Sequence, residues 1–159
     1  PIPGTNGEFL AVQKFFRMFD WEEAKVVHVR PLASGGYEVT DILHLPYLPA
    51  ERLSGWYREA YCLLFPSYYE GFGLPILEAM AAGCPVVTTP LASMPEVGGD
   101  ACLYAAPEPA PIAAAVARLM DEHGLRDDLA QRGRRQAERF SWDACAERTL
   151  AILREAAWA

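Results

Sequence analysis

Two glutamates flank a glycine-containing turn near the middle of the chain, in the run Glu-Gly-Phe-Gly-Leu-Pro-Ile-Leu-Glu that begins at Glu70 and ends at Glu78. Gly71 and Gly73 indicate a tight turn, and Pro75 suits the first turn of a helix. The free N–H groups and the dipole at the start of such a helix favour negative charge. This spacing predicts a ligand with phosphate in the middle and hydroxyl groups at both ends, as in a nucleotide sugar.

The elements around this run would hold it at the end of a buried strand. Residues 61–65 indicate a short buried strand closed by Pro66 and Ser67, and residues 78–83 indicate a small-residue helix that stops at a glycine. Each feature alone has a simpler explanation. Isolated glycines make ordinary turns, and a glutamate such as Glu78 in a first helical turn is stabilised by the dipole without any ligand.

The run 70–87, EGFGLPILEAMAAGCPVV, resembles the donor-site signature of retaining glycosyltransferases related to family 4, which have the two-Rossmann-domain GT-B architecture. Residues 45–57 resemble the strand and helix that precede the signature in that family, and residues 95–104 resemble the segment that follows it. The run Arg-Phe-Ser-Trp at 139–142 resembles the last junction before a C-terminal helix, so the resemblance is strong from about position 41 to 155.

The resemblance implies a role for each residue of the signature. Glu70 is expected to be the catalytic carboxylate, in contact with the hydroxyl groups of the donor hexose, and Glu78 to accept hydrogen bonds from the ribose. The expected donor-binding residues are Gly71, Phe72, Gly73, Leu74 and Glu78. Amides and the helix dipole would stabilise the charge that grows on the leaving diphosphate, so neither a metal nor a cofactor is expected. The product would keep the donor's anomeric configuration.

The whole chain, 1–159, is expected to form one Rossmann-like domain of the α/β class, with a parallel sheet covered by helices on both faces. The resemblance implies the C-terminal half of a GT-B hexosyltransferase, whose partners are a nucleotide-sugar donor and an N-terminal acceptor domain of the same protein. The first strand of the domain and that acceptor domain are expected to be missing, so the fragment alone would be inactive. The sugar, the base and the acceptor do not follow from the sequence.

Two alternatives are open. Relatives carry an Arg and a Lys after the first strand to grip the diphosphate, and the corresponding residues 3–7 contain neither, which favours a non-catalytic module that has lost donor binding. Lys14 and Arg17, predicted on a helix, are poor substitutes, and Arg30 at a strand end is a better one. The second alternative, a dinucleotide-binding oxidoreductase domain, is weak because Ile76 stands where the third glycine should be.

Composition limits the classes of function. With 52% apolar residues in 159, the chain is globular and about one domain in size. The net charge of −7 argues against a nucleic-acid surface and against anionic membranes as partners. No apolar run approaches the roughly 20 residues that cross a bilayer, no signal peptide is recognisable, and the absent initial Met favours a fragment. The cysteines at 62, 84, 102 and 145 form no metal motif and indicate buried free thiols in a reducing, cytoplasmic setting.

Hydrophobic spacing predicts the remaining elements. The aromatic residues at helical spacing in 9–19 favour an amphipathic helix, and further helices are expected over 50–60, 111–122, 125–138 and 141–157. Ser141 is expected to be the N-cap of the last of them. Strands are expected over 24–29, within 41–48, and over 85–89 and 101–104. Ser93 and Glu96 have the spacing of a capping box. The arginines between 126 and 139 indicate a solvated helix face.

Overall fold

The computed structural model describes the backbone of residues 9–17, 20–31, 37–45 and 50–157, and the side chains of residues 52–157. Three strands come first: β1 (Phe9–Arg17), β2 (Asp20–Pro31) and β3 (Tyr37–Leu45). Helices and strands then alternate as α1 (Ala50–Glu59), β4 (Cys62–Phe65), α2 (Leu74–Ala82), β5 (Val86–Thr88), α3 (Met94–Gly98) and β6 (Cys102–Tyr104). Three helices follow: α4 (Pro109–Asp121), α5 (Leu125–Ala137) and α6 (Trp142–Ala157).

The strands form one six-stranded sheet in the order β3-β2-β1-β4-β5-β6. β1, β4, β5 and β6 are parallel, which confirms the α/β, Rossmann-like class. The pairs β1–β2 and β2–β3 are antiparallel, so the sheet is mixed where an all-parallel sheet was expected. The described chain has no helix between these strands, and consecutive strands joined without a crossover pair most readily as antiparallel neighbours.

The predicted helix over residues 9–19 is wrong, because residues 9–17 form β1; residues 18 and 19 lie outside the described part. Three of the nine residues of β1 are phenylalanine, which fits a pleated strand better than a helix. The other predicted strands and helices within the described ranges are confirmed to within a few residues at each end.

Helices cover both faces of the parallel part of the sheet. Successive residues of β4 point to opposite sides, so Leu63 and Phe65 join one core cluster and Cys62 joins the other. α1, α2 and α3 supply the first cluster, and α4 and the start of α5 supply the second. The later half of α5 then lies against α2, where a Cβ on Gly133 would come within 3.2 Å of Met80 Cγ.

Helix ends follow the sequence signals in two places out of three. Gly83 adopts the left-handed conformation (φ 77°) that closes α2. The amide of Ala144 donates to the Ser141 hydroxyl over 3.3 Å, which confirms the cap of α6. The predicted capping box at Ser93 and Glu96 is wrong, because Ser93 makes no side-chain cap hydrogen bond. Its hydroxyl has another partner in the candidate site.

The cysteines divide into two kinds. Cys62, Cys84 and Cys102 are buried free thiols, as expected, whereas Cys145 is exposed. Burial raises the pKa of Cys62 to about 12, and the pKa of Cys102 also to about 12. Burial likewise raises the pKa of Cys84. These three side chains therefore pack as neutral core residues at ordinary pH.

The arginine-rich face of α5 is only partly a solvated face. The Arg126 guanidinium lies 5.1 Å from the centre of the Tyr61 ring and donates to the Tyr61 carbonyl over 3.3 Å. Arg132 donates to the carbonyl oxygen of Asp100 over 2.9 Å and to the carboxylate of Asp128. Among the described helices, none is long and apolar enough to cross a membrane.

Candidate functional site

The turn formed by residues 70–74, called here the signature turn, lies at the carboxyl end of β4. The chain leaves β4 at Phe65 and enters α2 at Leu74, and β4 is parallel to both of its neighbours. This is the edge at which open α/β sheets bind ligands. The predicted placement of Gly73 at the carboxyl edge is therefore confirmed.

Gly73 makes the turn possible. Its φ of 99° lies in the region that only glycine adopts readily. Its carbonyl accepts from the amides of Ile76 (3.0 Å) and Leu77 (3.4 Å), which starts α2. Gly71 has no positive φ, so the backbone conformation at this position does not require a glycine.

Four consecutive amides precede and open α2 without a partner. Within the described part of the chain, the N–H groups of Gly71, Phe72, Gly73 and Leu74 donate no hydrogen bond. Pro75 follows and has no N–H of its own. A row of free amides at a helix start is suited to an anion, because both the donors and the helix dipole favour negative charge.

Glu70 is held at two points on the same residue. The Ser67 hydroxyl donates to Glu70 Oε1 over 2.7 Å. The Ser93 hydroxyl, from the loop after β5, donates to the Glu70 carbonyl oxygen over 3.0 Å. Glu70 is half-buried beside the free amides. The two hydrogen bonds hold its carboxylate next to the predicted diphosphate position.

Hydroxyl groups also tie the end of β5 to the loop that carries Glu70. Thr88 donates to the Phe65 carbonyl over 2.9 Å, and Thr89 donates to the Ser67 carbonyl over 2.5 Å. Both threonines are buried. They therefore cap the strand ends beside the site.

Glu78 lies in the second turn of α2, not in the first as predicted, because the helix starts at Leu74. The dipole acts mainly on the first turn, so it gives little structural reason for a carboxylate at this position. The Tyr57 hydroxyl donates to Glu78 Oε2 over 3.3 Å. Glu78 also borders a cavity of about 350 Å³ between α1 and α2, whose walls include Leu53 and Arg58.

Apolar side chains are exposed around the signature turn. Tyr68 and Tyr69 are 70% and 80% exposed. Phe72 is half-exposed, and its ring meets the Phe140 ring edge to face, with 5.8 Å between the centroids. The Phe72 ring therefore packs against the segment after α5, and the donor contact expected of this residue is through its backbone amide.

The structure reverses the ranking of the basic residues considered as substitutes for the missing Arg/Lys pair. Residues 3–7 lie outside the described part. Lys14 and Arg17 stand in the carboxyl half of β1, at the same sheet edge as the signature turn, and not on a helix. Arg30 follows Val29, which pairs with Phe9, so it lies at the opposite edge and is a poor candidate to reach a diphosphate.

Sequence reasoning did not find the hydroxyl partners of the two glutamates. Tyr57, Ser67 and Ser93 have no role in the predicted site, although Ser67 closes the predicted strand and Ser93 stands in the predicted capping box. The available signal was a set of hydroxyl residues next to the ends of β4 and β5. In the described side chains, no group of three or more His, Cys, Asp or Glu residues could hold a metal ion.

Comparison with known proteins gives consistent matches. The family model "Glycosyl transferases group 1" matches residues 23–122. An Escherichia coli protein, O-antigen chain mannosyltransferase B, is 44% identical over 110 residues, which are 69% of this chain and 29% of that protein. A Mycolicibacterium hassiacum protein, MMP alpha-(1->4)-mannosyltransferase, is 36% identical over 124 residues, 74% of this chain and 30% of that protein.

A solved structure matches as well. Sucrose-phosphate synthase from Thermosynechococcus elongatus superposes with a TM-score of 0.64 and 29% identity, over 70% of this chain and 29% of that one. The chain thus spans about three-tenths of the length of the relatives it matches. The superposition agrees with the expected GT-B type of fold.

Proposed function

Since the chain belongs to the group 1 glycosyl transferase family, we propose that it is the donor-binding half of a retaining hexosyltransferase that uses a nucleoside-diphosphate sugar. The observation that carries this proposal is the row of four free amides at the carboxyl end of β4, with Glu70 before it and Glu78 after it. A diphosphate at the amides would bring the hexose towards Glu70 and the ribose towards Glu78.

The proposed mechanism uses this charge distribution. As the bond between the sugar and the diphosphate breaks, negative charge grows on the leaving phosphate, and fixed amides beside it stabilise that charge without reorganising. Glu70 accepts hydrogen bonds from hexose hydroxyls and so fixes the sugar while its anomeric carbon bonds to an acceptor oxygen. That oxygen loses its proton to the departing diphosphate. Glu78 does the same for the ribose. No step in this scheme requires a metal.

Mannose is the first hexose to test, because two relatives are named as mannosyltransferases. We further propose that an N-terminal domain of the same protein supplies the acceptor side, and that this half alone does not turn over. Three buried free thiols accord with a cytoplasmic location, where thiols stay reduced. No nucleic acid or membrane partner is proposed for this domain.

Calorimetric titration of the chain with GDP, UDP and NAD tests the donor site. Binding of a nucleoside diphosphate, weak because only half of the cleft is present, is the expected result. Binding of NAD alone would favour the oxidoreductase alternative. Binding of none, by a protein with a cooperative melting transition, would favour the non-catalytic module.

Turnover in the full-length protein tests the role of Glu70. With GDP-mannose as the donor, Glu70→Ala should greatly lower the rate of GDP release but lower the melting temperature only slightly. The stability changes little because Glu70 lies on a turn and its removal leaves no core cavity. A displacement of the sugar by about 1 Å costs on the order of a hundredfold in rate. A folded Glu70→Ala variant that turns over at the wild-type rate would remove this carboxylate from the mechanism.

A further inference from the structure

Glu70 is anchored through both its side chain and its backbone by serines from two different segments. Ser67 belongs to the loop after β4, and Ser93 to the loop after β5. We propose that these two serines are positioning residues, which set the direction of the Glu70 carboxylate before the sugar arrives. This inference rests on the proposed function, because it assumes that Glu70 meets the donor sugar.

The hydrogen bond to the carboxylate is selective for one oxygen. Ser67 Oγ lies 2.7 Å from Glu70 Oε1 and 3.2 Å from the Tyr69 carbonyl oxygen. A hydroxyl group has one proton, and the shorter contact to the charged acceptor is the stronger one. Oε2 of Glu70 has no hydrogen-bond partner among the described residues, so it remains available to accept from a hydroxyl of the sugar.

The Ser93 side chain contacts Glu70 and does not cap its own helix. It occupies the N-cap position of α3, where a serine normally accepts from an amide of the first turn. Its hydroxyl instead donates to the Glu70 carbonyl, 23 positions away. Tertiary packing, and not local helix capping, therefore determines the hydrogen bond of Ser93. This bond links the loop after β5 to the loop after β4.

Ala92, the residue before Ser93, has an unfavourable backbone conformation. Ala92 has a φ of 48°, and it is the one residue other than glycine with a positive φ in the described backbone. The left-handed conformation is unfavourable for an alanine, and such residues persist where the surroundings over-determine them, often beside functional sites. A strained residue therefore directly precedes the serine that contacts Glu70.

The Thr88 hydroxyl provides a matched control. It links the end of β5 to the end of β4 through the Phe65 carbonyl, in the same way as Ser93 links the next loop to Glu70, but it does not contact Glu70. Thr88→Val keeps the shape and removes this buried hydrogen bond. It should lower the melting temperature and change the rate of the folded enzyme by much less than Ser67→Ala or Ser93→Ala does.

The test is steady-state release of GDP from GDP-mannose by the full-length protein with water as the acceptor, so that mannose is the second product. Ser67→Ala is expected to lower kcat by about tenfold to a hundredfold, because the carboxylate is no longer fixed. Ser93→Ala is expected to act in the same direction. A double-mutant cycle isolates the effect through Glu70, and in a Glu70→Ala background Ser67→Ala should change kcat by less than about twofold.

The outcomes separate the positioning role from the proposed function. If Glu70→Ala turns over far more slowly than the wild type but Ser67→Ala and Ser93→Ala turn over like the wild type, the positioning role is overturned and the proposed function stands. A Ser67→Ala effect that persists in full without Glu70 would also overturn it, because the serine would then act on something else. If folded Glu70→Ala itself turns over normally, the proposed role of Glu70 fails first.

Discussion

The hydroxyl group of Tyr57 on α1 donates a hydrogen bond to Oε2 of Glu78 on α2, over 3.3 Å. The Tyr57 residue is only 1% exposed, so its position is set by the core. Glu78 itself is exposed. A core residue therefore holds a surface carboxylate, whereas in the other pair both Ser67 and Glu70 are half-buried.

Tyr57→Phe removes the hydroxyl group and keeps the ring in the core. We expect the free energy of unfolding to fall by about 0.5–1.5 kcal/mol, the net value of one hydrogen bond. Urea unfolding measures this change. Tyr68→Phe is the matched control, because its ring is 70% exposed and its hydroxyl lies 3.5 Å from the Pro107 carbonyl. Equal stability of Tyr57→Phe and the wild type would show that the contact is not stabilising.

Glu78→Ala should weaken the binding of a nucleoside diphosphate by about 1–3 kcal/mol, since a charge-assisted hydrogen bond to the ribose is lost. Calorimetry with GDP on both proteins measures the difference. Glu96→Ala, which removes an exposed carboxylate from α3, controls for the change in net charge. An unchanged affinity in Glu78→Ala would exclude the ribose contact.

The two glycines of the signature turn should respond differently to alanine. Gly73→Ala should lose about 1–2 kcal/mol of stability from its left-handed backbone. The cost is strain and not a clash, because a Cβ there would meet Ile76 Cδ1 at 3.5 Å, an ordinary contact. At Gly71 a Cβ meets nothing within 4 Å and φ is not positive, so Gly71→Ala should melt like the wild type. The melting temperatures of the two variants and the wild type test this prediction. A Gly73→Ala variant that melts no lower than Gly71→Ala would contradict it.

The buried thiols predict a loss of stability at alkaline pH. The folded-state pKa of Cys62 is raised from 9.0 to about 12, so between these values the unfolded state releases a proton that the folded state keeps. The free energy of unfolding should therefore be independent of this thiol below about pH 9 and fall above it, by about 1.4 kcal/mol per pH unit.

Urea unfolding between pH 7 and 10.5 (about 1.5 units above the thiol's ordinary pKa) measures this slope. Cys62→Ala should make this slope shallower without abolishing it, because burial also raises the pKa of Cys84 and of Cys102. An identical slope in Cys62→Ala and the wild type would mean that this thiol does not titrate on unfolding.

The strand–turn–helix unit around the signature turn could be predicted because each part has a local signal. β4 is a continuous apolar run, Gly73 marks the left-handed residue, Pro75 marks the helix start and Gly83 marks its end. Local signals also placed α4, α5 and the Ser141 cap. The β1 segment failed because aromatic residues at helical spacing are equally at home in a strand.

The partners of the two glutamates could not be predicted from spacing. Tyr57 and Glu78 are 21 positions apart, and Ser93 and Glu70 are 23 apart. Which hydroxyl meets which oxygen depends on how the helices and loops pack on the sheet. The capping box at Ser93 failed for the same reason, because a tertiary acceptor displaced the local one.

α6 has no buried residue along its 16 positions, and Trp142, Ile152 and Leu153 are all more than 60% exposed. A helix of that length without tertiary burial is marginal in water, since its own hydrogen bonds barely offset nucleation. In hydrogen–deuterium exchange, the amides of α6 should therefore exchange in a separate, faster class than those of β4. The domain would then show two levels of protection, and α6 would contribute little to the cooperativity of its unfolding.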